Sequence, residues 1–410
     1  MWKRTWGISE GIMICGGLVF IGLILHLCTG GLDWGSFAWP LNVYLAIVYV
    51  AVLVILYLVR SKVYFVRWAM SYQAAIPSLI FVVFLTFIMG ITKQVPASVP
   101  REDVPLFGRM LSFWPFVLVY FWMTTIVGLV SVRYLFSFKL SKIPFLCNHL
   151  GLFVALVAGT LGSADMQRLT MNTRVGQVEW RALDADGNLH ELPLAIELKN
   201  FSIDEYPPKL MLIDNATGKA LPERAPEHLM LEEGVLAGSL SGWRIEVLDK
   251  IDMAASVPGK DSVRYVEWAT TGATSAVKVR AFSPDGKRTV GGWVSCGSFL
   301  FPYQALRLDS ACSLVMPDRE PQRFFSDVVF YTKSGKIVEK TIEVNKPATI
   351  EGWDVYQLSY DEGKGRWSDV SVFELVSDPW LPIVYAGIIL MMVGAVCMFV
   401  MAQKTKKEEL

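Results

Sequence analysis

Six runs of mostly apolar residues, each of about twenty positions, mark the chain near 9–29, 40–59, 76–92, 112–132, 144–162 and 380–402. Each is long enough to cross the hydrocarbon of a bilayer as a helix, the third, Ile76–Thr92, being the shortest. Between residues 163 and 378 the rhythm changes to short alternating runs broken by turn residues, the pattern of antiparallel strands. Val178-Glu-Trp-Arg-Ala, Gly242-Trp-Arg-Ile-Glu-Val-Leu and Ala276-Val-Lys-Val-Arg-Ala-Phe are examples. Three hairpins are predicted: Val277–Phe282 turning at Pro284–Lys287, Asp327–Thr332 turning at Lys333–Lys336, and Trp353–Ser359 turning at Glu362–Gly365.

The pattern therefore predicts an α-helical membrane protein of six spans with a large all-β domain, sandwich or barrel-like, between helices 5 and 6. The expected divisions are 1–162 for the first five spans, 163–378 for the β domain, and 379–410 for the last span and its tail. The first run outlasts a usual signal-peptide core and is expected to be a retained anchor.

Composition agrees, with 53% hydrophobic and 19% charged residues among 410. Formal net charge is zero and no long basic run occurs, which leaves nucleic acid no electrostatic footprint. Basic residues are unevenly placed. Lys3, Arg4, Arg60, Lys62, Arg67, Arg133, Lys139, Lys142, Lys404, Lys406 and Lys407 fall on one side of the six spans, and only Lys93, Arg101 and Arg109 fall in the short loops opposite. The positive-inside rule then puts both termini in the cytoplasm and the β domain outside the cytoplasmic membrane.

Candidate chemistry is sparse. There is no CxxC, zinc-spaced Cys/His cluster, nucleotide-binding GxxxxGK[ST] string or Ser/His/Asp order, so any chemistry is expected to rest with a bound cofactor or a partner. Asp184-Ala-Asp-Gly-Asn188 opens like a calcium loop, but Ala195 stands where the bidentate acid belongs, and a hairpin turn is expected instead. Cys296 and Cys312 are the two cysteines in polar sequence, and a disulfide between them is left open.

His149 is the one basic or acidic side chain in the apolar run 144–162, and such a group inside a membrane is a functional candidate by default. On the same helix Asn148, Gly151, Ala155, Gly159 and Gly162 form a small-residue face suited to close helix packing. Two readings stand. Packed helices could open a pocket in which the neutral imidazole coordinates a metal, haem iron if the pocket is broad and apolar. Alternatively the ring makes an interhelical hydrogen bond. His26, near the end of the first helix, is expected at the headgroup interface, and His190 and His228 on the surface.

Several separated segments resemble the ResB family (also called CcsB) of cytochrome c biogenesis proteins. They are His149 with the helix ending Gly159-Thr-Leu-Gly-Ser-Ala-Asp165; Leu192–Phe201 followed by Ile203, Tyr206 and Pro207; and Phe324-Phe-Ser-Asp-Val, Val344-Asn-Lys-Pro347 and Gly352-Trp-Asp-Val-Tyr-Gln-Leu-Ser-Tyr360. Asp378-Pro379 and Tyr385-Ala-Gly387 complete the likeness, which covers roughly residues 140 to 402. The residues of the motifs read physically as fold-defining more than catalytic: Pro347 closing a strand, Gly352 in a turn, Tyr356 and Gln357 on opposite strand faces, and Asp378-Pro379 starting a helix.

The resemblance implies a part in system II, in which a ResB-like protein and a CcsA-like partner export haem and attach it to apocytochrome c outside the cytoplasm. It further implies His149 as an axial ligand of transiently bound haem b and a thioredoxin-like thiol reductase as a further partner, with a possible but unassigned role for His26. The Trp-rich haem-handling segment and external histidines of CcsA have no counterpart here, so the chain would be one subunit of a haem lyase. The chain departs from the family in showing five helices before the large domain where fewer are common. The alternative is a cofactor-free membrane scaffold that binds apocytochrome or a thiol reductase.

Overall fold

A computed structural model describes residues 5–96, 99–100, 103–234, 237–259 and 263–408. Lys3, Arg4 and Arg101, which entered the charge argument, lie outside the described residues. The chain divides into a helical unit (1–168, 185–187 and 376–410) and a β unit (169–184 and 188–375).

The helical unit contains α1 (Ile8–Thr29), α2 (Leu41–Val59), α3 (Tyr64–Ala69), α4 (Tyr72–Ile91), α5 (Trp114–Phe136), α6 (Ile143–Gly162) and α7 (Leu381–Glu408). All but the short α3 are long and apolar enough to span a bilayer, so this is a multi-pass membrane protein. Helix α5 is the hub, touching α1, α2, α4 and α6, and 56% of its apolar window is buried against 11% for α7. The third span begins at Tyr72, earlier than the hydrophobic pattern indicates, and runs through Pro77. A proline that usually marks a helix start is here inside one; Gly11 of α1 lies against its ring and against Gln73 O, the carbonyl that a proline cannot serve.

Helices α6 and α7 meet almost backbone to backbone. A Cβ on Gly151 would overlap Met391 N and Gly387 O, one on Gly387 would lie 2.7 Å from Ala155 N, and one on Gly394 would lie 2.5 Å from Asn148 N. The small-residue face thus closes on α7 through positions 148, 151 and 155, instead of opening a pocket, while Gly159 faces open space.

Among the described residues the β unit has two large hydrophobic cores and a small cluster around Tyr265. An eight-stranded antiparallel sheet, nearly closed into a barrel, runs β15 (Ile337–Glu343), β14 (Pro321–Thr332), β3 (Leu189–Glu205), β2 (Val178–Leu183), β1 (Gln167–Arg174), β18 (Val370–Ser377), β17 (Trp353–Tyr360) and β16 (Ala348–Ile350). Its interior holds Met171, Ile196, Leu198, Phe330, Val355 and Phe373, contributed by alternate positions of the strands. The second core lies among two five-stranded sheets, one of β11 (Thr289–Ser295), β10 (Thr274–Phe282), β8 (Trp243–Pro258), β7 (Ala237–Leu240) and β9 (Val263–Glu267), the other of β12 (Leu306–Arg307), β13 (Cys312–Val315), β4 (Lys209–Asp214), β5 (Ala220–Leu221) and β6 (Leu229–Met230). In β10, Val277, Val279 and Ala281 point inward and Lys278 and Arg280 outward, as the alternation requires.

The three expected hairpin turns form, with positive φ at Gly286, Gly335 and Gly365. Asp184–Asn188 is the β2–β3 turn, where Asn188 N donates to Asp184 Oδ1 at 2.9 Å. Cys296 and Cys312 are both free; Cys312 is buried in the second core, where desolvation pushes its thiol up to about 11. Pro347 does not end a strand but leads into β16, and the β16–β17 turn is made by Glu351 and Gly352, both at positive φ.

The α6–α7 contact predicts opposite outcomes for two alanine substitutions one helix turn or more apart. Gly151→Ala in the full chain should lower the thermal unfolding midpoint in detergent, with an overpacking cost of about 1–3 kcal/mol. Gly159→Ala, into open space, should leave it unchanged or raise it by the helix-propensity gain of up to about 1 kcal/mol.

Candidate functional site

His149 sits in the second turn of α6, and the α6–α7 contact fixes which way it faces. Its neighbour Asn148 is turned to α7, with Nδ2 3.5 Å from Met391 O, so the imidazole, about 100° further round the helix, is turned elsewhere. It meets Tyr134 of α5, with ring centroids 5.6 Å apart, and Tyr134 in turn stacks on Phe145. His149 Nδ1 pairs with Phe145 O, one turn earlier in its own helix, at 2.8 Å. A carbonyl can only accept, so the ring donates from Nδ1–H, and in a neutral ring the lone pair then lies on Nε2. Nε2 has no hydrogen-bond partner among the described residues, and the ring is half-exposed. The interhelical hydrogen bond considered from sequence is therefore not the one formed. A neutral imidazole tied at Nδ1 to a carbonyl is the usual state of a metal-ligating histidine, so the donor chemistry fits haem iron.

His26 lies in the last turn of α1, edge-on to Phe113 at 4.8 Å. Phe113 precedes α5 and Tyr134 is near its end, a separation of about 30 Å along the helix, so the structure does not bring the two histidines together. His190 and His228 are exposed, and His190 Nε2 lies 2.8 Å from Asp184 Oδ2.

Asp165 emerges as a junction that sequence reading recorded only as the end of a motif. Its Oδ1 accepts Trp39 N at 2.6 Å, and its Oδ2 accepts Asn42 Nδ2 and Trp380 Nε1, both at 2.7 Å. One carboxylate thereby ties the start of α2, the end of α6 and the entry to α7, beside a cavity of about 700 Å3 lined by Trp39, Asp165 and Trp380 among others. Burial pushes this carboxyl up, but the donors from Asn42, Trp39 and Trp380 outweigh it and hold it below its ordinary value. Asp378 begins α7, its Oδ1 accepting Trp380 N and Leu381 N, both at 3.0 Å, so Pro379 lies in the cap and Pro382 in the first turn.

In the β unit the quoted motifs converge. Phe201, Phe324 and Tyr360, one from each of three segments far apart in sequence, form an aromatic cluster, with Tyr360 5.1 Å from both phenylalanine rings. Gln357 points into the barrel, where its amide joins Ser326 and Ser371: Ser326 Oγ donates to Gln357 Oε1 at 2.6 Å and Gln357 Nε2 to Ser371 Oγ at 2.8 Å. The three are buried and satisfy one another, which is a fold-defining role. Glu205 lies between Arg319 (3.2 Å) and Arg366 (3.6 Å), largely removed from solvent.

Membrane-spanning helices joined in sequence to an antiparallel β unit define the class as a membrane-anchored β-domain protein. Residues 293–368, a stretch within the β unit, match the model of the ResB-like family. The matched stretch contains Phe324, Gln357 and Tyr360. No protein of curated function matches the chain.

The Asp165 junction has a pH signature. Because its folded-state value is depressed, its stabilisation is full above the unfolded carboxylate value of about 3.9 and is lost as pH falls through the folded value. Asp165→Asn should lower the unfolding midpoint at neutral pH, at a cost of about 1–3 kcal/mol, and the gap from the parent should narrow as pH is taken down through that range. A gap that stays constant with pH would contradict the assignment.

Proposed function

We propose that this chain is the haem-handling membrane subunit of a system II cytochrome c synthase. His149 ligates the iron of transiently bound haem b through Nε2, and the β unit presents haem or apocytochrome c together with a CcsA-like partner. The observation that carries this reading is the state of His149: Nδ1 held by Phe145 O, Nε2 without a partner among the described residues, the ring half-exposed within an apolar helix. Haem when bound supplies the vinyl groups that become thioethers to the reduced CxxCH thiols of the apocytochrome. The chain's own residues hold and orient. Phe145 O fixes the tautomer, Tyr134 limits the rotation of the ring, and the α6–α7 contact keeps the imidazole off the α7 face.

The unequal distribution of basic residues supports cytoplasmic termini and an extracytoplasmic β unit in the cytoplasmic membrane, with His149 in the cytoplasmic half. A thioredoxin-like reductase would keep the apocytochrome thiols reduced, since no CxxC occurs in this chain. The scaffold reading draws on one observation, that Nδ1 is already satisfied inside its own helix.

Spectroscopy of the full chain co-expressed with its CcsA-like partner separates the two readings. The parent should carry a haem Soret band, His149→Ala should lose or shift it, and added imidazole should restore it if ligation alone was removed. A colourless parent complex whose His149→Asn variant still matures cytochrome c would leave only the scaffold.

A further inference from the structure

The rule that basic residues gather on one side of a membrane protein explains why arginines lie near one end of the helical unit, but not why three of them converge. Arg60, immediately after α2, Arg67 on α3 and Arg133 in the last turn of α5 line one cavity of about 350 Å3, completed by Ser61 and Met70. Lys62, Lys139 and Lys142, near the same helix ends, do not line it. Each guanidinium is set against a tyrosine, Arg60 over Tyr57 at 3.8 Å, Arg67 over Tyr64 at 5.4 Å and Arg133 over Tyr134 at 5.3 Å, which restrains it without neutralising it.

Most of their donors remain uncommitted. Of five N–H groups per guanidinium, Arg60 gives one to Tyr57 O at 2.8 Å and Arg133 one to Met70 O at 3.3 Å. None of the three has a carboxylate partner among the described residues. Preoriented guanidinium forks of this kind match the oxygens of a phosphate. The level of the cavity is marked by a second feature. Arg60 follows α2 directly and Arg133 stands in the last turn of α5, so the cavity lies where two apolar spans leave the hydrocarbon for the headgroups. Phosphate at that level is most abundant as lipid headgroups.

We infer that the Arg60–Arg67–Arg133 cavity binds the phosphate of an anionic phospholipid headgroup, which ties the ends of α2, α3 and α5 together. The inference does not depend on haem binding at His149.

The test reconstitutes the full chain in nanodiscs of phosphatidylcholine containing phosphatidylglycerol, then measures retained anionic lipid by native mass spectrometry after transfer to detergent. R60Q/R67Q/R133Q should retain it about a hundredfold more weakly, on the scale of ~1 kcal/mol per basic side chain. K62Q/K139Q/K142Q, which removes the same charge outside the cavity, should retain it nearly as the parent does. Equal loss in both variants would mean diffuse attraction and overturn the proposal. So would full displacement of the lipid by millimolar inorganic phosphate, which would make this a free-anion site, or by one equivalent of haem, which would make it a propionate site. The single variant Arg67→Gln, at an exposed position on α3, gives a reading even if the triple variant is unstable; retention equal to the parent's would count against the inference.

Discussion

The near-contact of the α6 and α7 backbones is the constraint on which the candidate site depends. In hydrocarbon no water is available to drive two apolar helices together, so close packing through glycine has to do it. Gly151 on one helix and Gly387 and Gly394 on the other leave no room for a side chain between them. That fixes the rotation of α6 about its axis. Asn148 is committed to the α7 side, and His149 must then face α5, where Tyr134 and the carbonyl of Phe145 set its orientation and tautomer. The orientation of one imidazole is thus a consequence of packing at positions that never touch it.

Several polar groups elsewhere in the molecule are fully satisfied within the fold. Asp165 accepts three hydrogen bonds and joins three helix ends, and Gln357, Ser326 and Ser371 close a network inside the barrel. The arginines around Met70 depart from this pattern, with restrained but largely uncommitted donors, and so do the buried indole nitrogens of Trp68 and Trp122. Groups that a fold satisfies internally serve its stability. Groups that it holds in place, unsatisfied and within reach of solvent, are where ligand chemistry is to be sought, and His149 Nε2 is another such group.

The ResB-like match falls on 293–368, within the β unit, whereas His149 lies in the membrane. The motif residues in that stretch prove to be structural: Gln357 in the barrel network, Tyr360 and Phe324 in the aromatic cluster. A pattern dominated by fold-defining residues identifies the architecture more readily than the chemistry, and the residue proposed to carry the chemistry lies outside the matched segment.

Local periodicity alone determined the six spans, the antiparallel character of 163–378 and its three hairpins, because hydrophobic period and turn glycines act over a few residues. It also singled out His149, since an ionisable group in an apolar run stands out without any partner being known. The start of α4 escaped it because proline signals a helix start locally, while its acceptance inside α4 depends on Gly11 of another helix. Tertiary structure decided what the small face of α6 packs against, that Trp39, Asn42 and Trp380 converge on Asp165, and that three arginines from separate elements share one cavity. The physical reason is range. Asn42 and Asp165 are brought together across 123 positions by helix packing, and no local pattern along a chain carries that information.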